Sequence, residues 1–247
     1  MKGERCMTLI ELKNVSKTFP LGTTHVTALS GVDLRVNAGD FLAVTGPSGS
    51  GKTTLLNILG CLDAPSSGQV LINGSDVGTL PERALDQFRS RTIGFVFQHF
   101  NLVPALTAAE NVALPLYLHR LSARDRWRRA LDALAQVGLE AFANSIPDQL
   151  SGGQRQRVSI ARALATQPRV IVADEPTANL DSVTAESIIA LMHELNRTSG
   201  MTFVFSTHDE SLTRRVRRLL HVHDGVVREY SADTMHEEEF DVCGLSL

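Results

Sequence analysis

Residues Asp40–Leu59 read DFLAVTGPSGSGKTTLLNIL, and the fold of the chain turns on them. DFLAVT is a short apolar run of the kind that forms a buried strand. It ends in a turn of small residues, Gly46–Ser50, after which helix formers run from Lys52 to Leu59. The segment is therefore a strand, a loop and a helix in that order. Gly46, Gly51, Lys52 and Thr53 fall at the spacing of a phosphate-binding loop. Small side chains in such a loop allow phosphate oxygens to reach backbone N–H groups, so Gly46, Pro47, Ser48, Gly49, Ser50, Gly51 and Thr54 join Lys52 and Thr53 as candidate nucleotide contacts. The helix opening near Gly51 turns its positive end to the anion. Lys52 would reach the β- and γ-phosphates, and the Thr53 hydroxyl would face Mg²⁺.

Outward from this unit, Leu9–Val15, Ala28–Val36, Gln69–Asn73, Ile93–Phe97, Val170–Ala173 and Phe203–Phe205 read as strands. From Thr107 to about Ala165 the pattern is mostly helical, with Ser122–Val137 the clearest case, and a further helix is expected near Val183–Leu195. Alternating strands and helices argue for an α/β fold with a mostly parallel sheet covered on both faces.

The length of 247 residues suits one large domain or a domain with an insertion. Apolar residues make up 43% and charged residues 21%, which excludes disorder throughout the chain. With 24 basic and 27 acidic residues the net charge is −3 and the pI about 6.2, so the chain is not a strongly basic polyanion binder and no nucleic-acid partner is expected. Cys6, Cys61 and Cys243 are too few and too scattered for a disulfide framework or a zinc site, and a reduced setting fits. The most apolar stretch, Val112–Leu118, contains Pro115 and falls far short of the roughly 20 residues of a spanning helix. MKGERCMTLIELK lacks the long apolar core of a secretory signal.

A second carboxylate site follows the strand Val170–Ala173. Asp174 would hold Mg²⁺ through its water shell, and Glu175 is suited to polarise an attacking water.

Leu150–Gln154 reads LSGGQ and continues RQRVSIARAL into a helix. With the phosphate loop, this resembles the ATP-binding cassette family, whose order of motifs the chain follows from about residue 7 to residue 230. The resemblance implies a P-loop ATPase core with an N-terminal antiparallel β subdomain and an inserted helical subdomain at about 99–165. The cassette would occupy 7–232, and 233–247 would form an acidic, loosely held tail. It implies ATP and Mg²⁺ as ligands. It also implies that Ser151, Gly152, Gly153 and Gln154 serve the ATP of a second copy in a head-to-tail dimer. A helix N-terminus made of Ser151 and two glycines suits an anion.

Other positions match the family one by one. Gln98, ending IGFVFQ, matches the glutamine that contacts Mg²⁺ and water; taken alone it is a surface residue after a strand. Asn179, Leu180 and Asp181 match the segment that crosses the dimer interface. His208, in THDE, matches the histidine that contacts the γ-phosphate; an isolated histidine there would be structural. Phe19, in SKTFP, occupies the place of the aromatic that stacks on adenine, with a core phenylalanine as the other reading.

GCLDAPSSGQVLING (60–74) and GFVFQHFNLVPALTAAENVALPL (94–116) resemble the branch of the lipoprotein-release and macrolide-efflux ATPases. The partner implied is a separate transmembrane permease, with the cassette peripheral on the cytoplasmic side of the inner membrane and a lipoprotein, lipid or drug as substrate. Phe100–Glu110 would line the groove for the partner's coupling helix, with Leu102, Val103 and Leu106 either at that interface or in the core. Cell-division and signalling members share the motifs without a transported substrate. Soluble DNA-repair members carry a long coiled coil, for which the stretch between Lys52 and Ser151 leaves no room. Two arginine clusters, 120–129 and 214–218, read as solvated faces, with proximity to lipid head groups or to a membrane partner as the alternative.

Overall fold

The computed structural model describes residues 7–209, 213, 216 and 218–231. The tail 233–247 and Arg214, Arg215 and Arg217 lie outside the described residues. In chain order the elements are β1 (Thr8–Leu21), β2 (Thr24–Asn37), β3 (Phe41–Thr45), α1 (Lys52–Leu59), β4 (Ser67–Ile72), β5 (Ser75–Asp76), α2 (Glu82–Thr92), β6 (Ile93–Val96), α3 (Ala108–Ala113), α4 (Ala123–Gln136), α5 (Gly152–Leu164), β7 (Val170–Ala173), α6 (Ser182–Ser199), β8 (Thr202–Ser206), β9 (Arg218–His223) and β10 (Val226–Ser231).

Two sheets result. The first is antiparallel, with strand order β2-β1-β4-β5. The second has the order β10-β9-β3-β8-β7-β6; β9, β3, β8, β7 and β6 run parallel, and β10 is antiparallel at the edge.

Successive side chains on a strand face opposite ways, and here that alternation divides the molecule into two cores. Phe41 and Ala43, Ile171 and Ala173, and Phe203 and Phe205 belong to the core shared with α3–α6. Leu42 and Val44, Val170 and Val172, and Val204 belong to the core shared with α1 and the antiparallel sheet. Burial on both faces is why these strands read as unbroken apolar runs. α1 buries Leu55, Leu56, Ile58 and Leu59 in the second core, which clamps the helix behind the phosphate loop.

Several elements depart from the sequence reading. β1 and β2 extend into a hairpin that reaches Leu21 and Thr24, well past Val15 and before Ala28. α2 and the β9–β10 hairpin were not expected. In α2 only Thr92 is fully buried, with Leu85 and Phe88 packed against the second core, so its apolar stripe is thin. No described helix is long and apolar enough to cross a membrane.

Candidate nucleotide site

The site lies at the carboxyl ends of the parallel strands, the crevice where α/β sheets bind ligands. Because β8 runs between β3 and β7, the phosphate loop after β3, the acidic pair after β7 and the histidine after β8 converge.

The loop is shaped by backbone that only glycine accepts easily. Gly46 has φ 140°, and a Cβ there would lie 2.0 Å from the Val222 carbonyl oxygen of β9. Gly51 has φ 112°, and a Cβ there would lie 2.3 Å from the Ala28 carbonyl oxygen of β2. Gly49, also at positive φ, faces open space. The turn between β9 and β10 buttresses the loop: Gly225 N–H donates to Ser50 O at 3.0 Å, and Gly225 O accepts from Ser30 N–H at 2.9 Å.

Lys52 is buried, and its ammonium donates to the Gly46 and Pro47 carbonyls, both at 2.9 Å. Burial pulls its pKa down, and the charges of Glu175 and Asp174 oppose that shift. The Ser50 hydroxyl is buried with no hydrogen-bond partner. An unpaired hydroxyl, an amine on its own loop carbonyls and an open face at Gly49 fit a loop that receives phosphate.

Ser206, ending β8, ties the acidic pair together. Its hydroxyl donates to Asp174 Oδ1 at 2.7 Å and accepts from Glu175 N–H at 2.8 Å. Glu175 sits at φ 45°, a left-handed conformation that L residues seldom adopt and that clusters at functional sites. Its Oε1 lies 2.6 Å from His208 Nε2. Thr207 N–H donates to Val44 O at 3.0 Å and so fixes the start of the His208 segment to the strand that carries the phosphate loop.

The residues of the LSGGQ stretch open α5. Ser151 is the N-cap: its hydroxyl accepts from Gln154 N–H at 3.3 Å, while Gln154 Oε1 accepts from Ser151 N–H at 2.8 Å. This reciprocal box gives the Gln154 side chain a local task in starting the helix. Gly152 and Gly153 permit close packing on the neighbouring segment: a Cβ would lie 3.3 Å from Leu180 Cδ2 at Gly152 and 2.5 Å from Thr184 Cγ2 at Gly153. Asp181 caps α6, and hydrogen bonds from Thr184 hold its carboxyl below the usual carboxylate range.

The structure thus brings Lys52, Asp174, Glu175 and His208 together. Gln98 is half-buried after β6, and its carbonyl accepts from Asn179 Nδ2 at 2.8 Å. Phe19 lies on the β1–β2 hairpin, 40% exposed, with Lys17 Nζ 4.9 Å from its ring centroid. That exposure disfavours the reading of Phe19 as a core residue. Thr53 is exposed and Thr54 half-buried on the first turn of α1.

A groove of about 510 Å³ runs beside β6, lined by Leu62, Phe95, Phe97, Pro115, Leu118 and Asn101 among others; of Phe100–Glu110, Asn101 alone lines it. Leu102 packs on the helical core, and the Asn111 side chain ties down the Val103 backbone. In the 120–129 cluster, Arg126 lies over the Tyr117 ring at 4.4 Å and Arg128 pairs with Asp125 at 2.9 Å.

A phosphate loop after a central parallel strand, with carboxylates ending a strand of the same sheet, defines a P-loop nucleotide hydrolase. The family model described as ABC transporter matches residues 29–178. The chain is 49% identical to the ABC transporter ATP-binding protein MJ0796 of Methanocaldococcus jannaschii, over 89% of this chain and 95% of that one. It is 48% identical to the lipoprotein-releasing system ATP-binding protein LolD of Syntrophotalea carbinolica, over 88% and 96%. It is 47% identical to the macrolide export ATP-binding/permease protein MacB of Syntrophobacter fumaroxidans, over 91% of this chain and 32% of that one. The dimeric post-hydrolysis structure of MJ0796 with ADP and Pi superposes with a TM-score of 0.83 at 48% identity, covering 91% of this chain and 99% of that one. The chain belongs to the ABC transporter family and is an ATPase cassette of it.

Proposed function

We propose that the chain is the ATP-hydrolysing subunit of a transporter whose membrane-spanning part is a separate permease, and that it works as a dimer of two cassettes with two ATP molecules between them. Lys52 and the N–H groups of Gly46–Thr54 hold the phosphates, and Phe19 stacks on the base. Thr53, Gln98 and Asp174 would hold Mg²⁺, which supplies charge compensation at the phosphates when bound. Glu175 accepts a proton from the attacking water, and His208, beside it, donates to the γ-phosphate. Ser151, Gly152 and Gly153 of the second copy present a helix N-terminus to the same phosphates, and Asp181 lies on the segment that crosses between the copies. Loss of the γ-phosphate contacts then releases the dimer. The groove beside Phe97 and Leu118 receives the permease. The likeness to LolD and MacB favours extraction or export of a lipoprotein, lipid or drug, with the cassette on the cytoplasmic face of the membrane.

The observation that carries this reading is the 2.6 Å contact of Glu175 with His208, set among Lys52, Asp174 and the phosphate loop. Glu175→Gln keeps the shape and removes the base. It should lower turnover by about 10²–10⁴-fold, leave ATP binding intact and enrich a closed dimer seen by size-exclusion chromatography with ATP. Near-normal steady-state hydrolysis in that variant would refute the assignment. Purification from solubilised membranes should retain a transmembrane chain and identify the permease.

A further inference from the structure

Two arginines on α5 reach from that helix to the loop after β6. Arg162 donates through Nη2 to Phe100 O at 2.7 Å and through Nη1 to Asn101 O. Arg162 is half-buried, and burial pulls its pKa down. Seven residues earlier, on the same helix face, the Arg155 guanidinium lies 5.3 Å from the Phe100 ring centroid. The loop they hold is contorted. Phe100 has φ 61° and Asn101 φ 48°, two consecutive left-handed residues, neither a glycine. Such backbone persists only where its surroundings over-determine it. The third hold is Asn179, whose amide grips Gln98 O. Three carbonyls of the Gln98 loop are therefore fixed by side chains from two other segments.

The same helix α5 begins at the Ser151 cap. One end of it thus offers an anion site, and its face grips the loop that carries Gln98.

We propose that Arg162 is a positioning residue that locks the Gln98 loop to α5, so that docking of Ser151 on the partner's nucleotide and delivery of Gln98 to this chain's own nucleotide occur together. This rests on the roles proposed above for Gln98 and Ser151. It adds that one guanidinium ties the two ATP sites within each chain. Arg155 supports the same tie through the Phe100 ring.

The planar fork of arginine reaches two carbonyls from two separate nitrogens in a fixed geometry, which the single nitrogen of a lysine ammonium cannot reproduce across this span. Arg162→Lys keeps the stem and the charge and removes that fork. In the full-length protein, R162K should bind ATP within about twofold of the parent, because the phosphate loop is untouched. Its kcat should fall about tenfold, and the cooperative dependence of rate on ATP concentration should be lost. A purely structural arginine would lower the melting temperature without removing cooperativity.

A double-variant cycle with Gln98→Ala decides the route. If Arg162 acts through Gln98, R162K adds no further loss of kcat to Q98A. Independent, multiplying losses overturn the proposal, as does an R162K protein with parental kcat and cooperativity beside an impaired Q98A. Parental turnover in Q98A overturns the Gln98 assignment instead. Should R162K fail to fold, Arg155→Gln carries the same cycle, with a smaller loss expected and with additivity again overturning the proposal.

Discussion

Lys52 holds a charge that its surroundings work against. Its ammonium is buried among loop carbonyls, and burial lowers its pKa from the ordinary 10.5 despite the nearby carboxylates. A bound triphosphate adds negative charge at this amine and favours the protonated form. The sign follows from linkage: the complex holds the proton more tightly than the free protein does. ATP affinity should therefore be flat below the free protein's Lys52 pKa. It should weaken by up to about tenfold per pH unit as the pH rises through that value. Calorimetric titration at alkaline pH, in buffers of different ionisation enthalpy, should show proton uptake on binding. Lys52→Arg, which stays protonated, should show none from this position. Gly46 makes the companion point about the backbone. Its φ of 140° and its approach to Val222 O leave no room for any side chain, so the loop is moulded by β9, a strand more than 170 residues further along the chain.

Helix α5 separates two roles that one residue plays. Ser151 caps the helix, and it is also the residue assigned to the partner's phosphate. Removing the hydroxyl in Ser151→Ala should cost about 1 kcal/mol of stability from the lost cap and should lower hydrolysis as well. Ser151→Asp should keep the cap, because aspartate caps as well as serine does, but it sets a carboxylate against a phosphate. Thermal melts should then place S151D near the parent and S151A below it, with hydrolysis lowest in S151D; parental hydrolysis in S151D would remove Ser151 from the anion site. At this scale the sequence was legible where one element contains its own explanation. β3, β7 and β8 are short runs buried on both faces, so each announces itself, and Glu175 and His208 stand at strand ends. The LSGGQ stretch carries its cap, its glycines and its helix formers together. What stayed hidden depends on neighbours distant in sequence. β9, RLLHVH, is broken by arginine and histidine and reads as part of a charge cluster until β3 and β10 pair with it. Ser206 bridges Asp174 and Glu175 only because β8 lies beside β7. Arg162 is one arginine among many until the Phe100 and Asn101 carbonyls turn toward it.

On the scale of the whole molecule, the groups assigned above to phosphate sit on two sets of elements. Lys52, Asp174, Glu175 and His208 gather at the ends of β3, β7 and β8, whereas Ser151, Gly152 and Gly153 pack against the 180–184 segment at the start of α6. In the proposed dimer each chain would complete its site through the second copy, and a two-fold pair would do so twice with the same surfaces. The division has a consequence that no single-chain mechanism shares. Take one variant that is defective at Lys52 and another that is defective at Ser151. Each alone forms dimers with two broken sites. In a mixed dimer, both lesions fall in one site, and the other site pairs an intact phosphate loop with an intact Ser151. Random mixing yields mixed dimers as about half of the population, so hydrolysis should reappear on combining two inactive preparations. It should grow with the product of the two concentrations at low protein and should vanish when either variant also carries the other's lesion. If Ser151 served the nucleotide of its own chain, each variant would stay dead in any mixture, and adding one to the other would restore nothing.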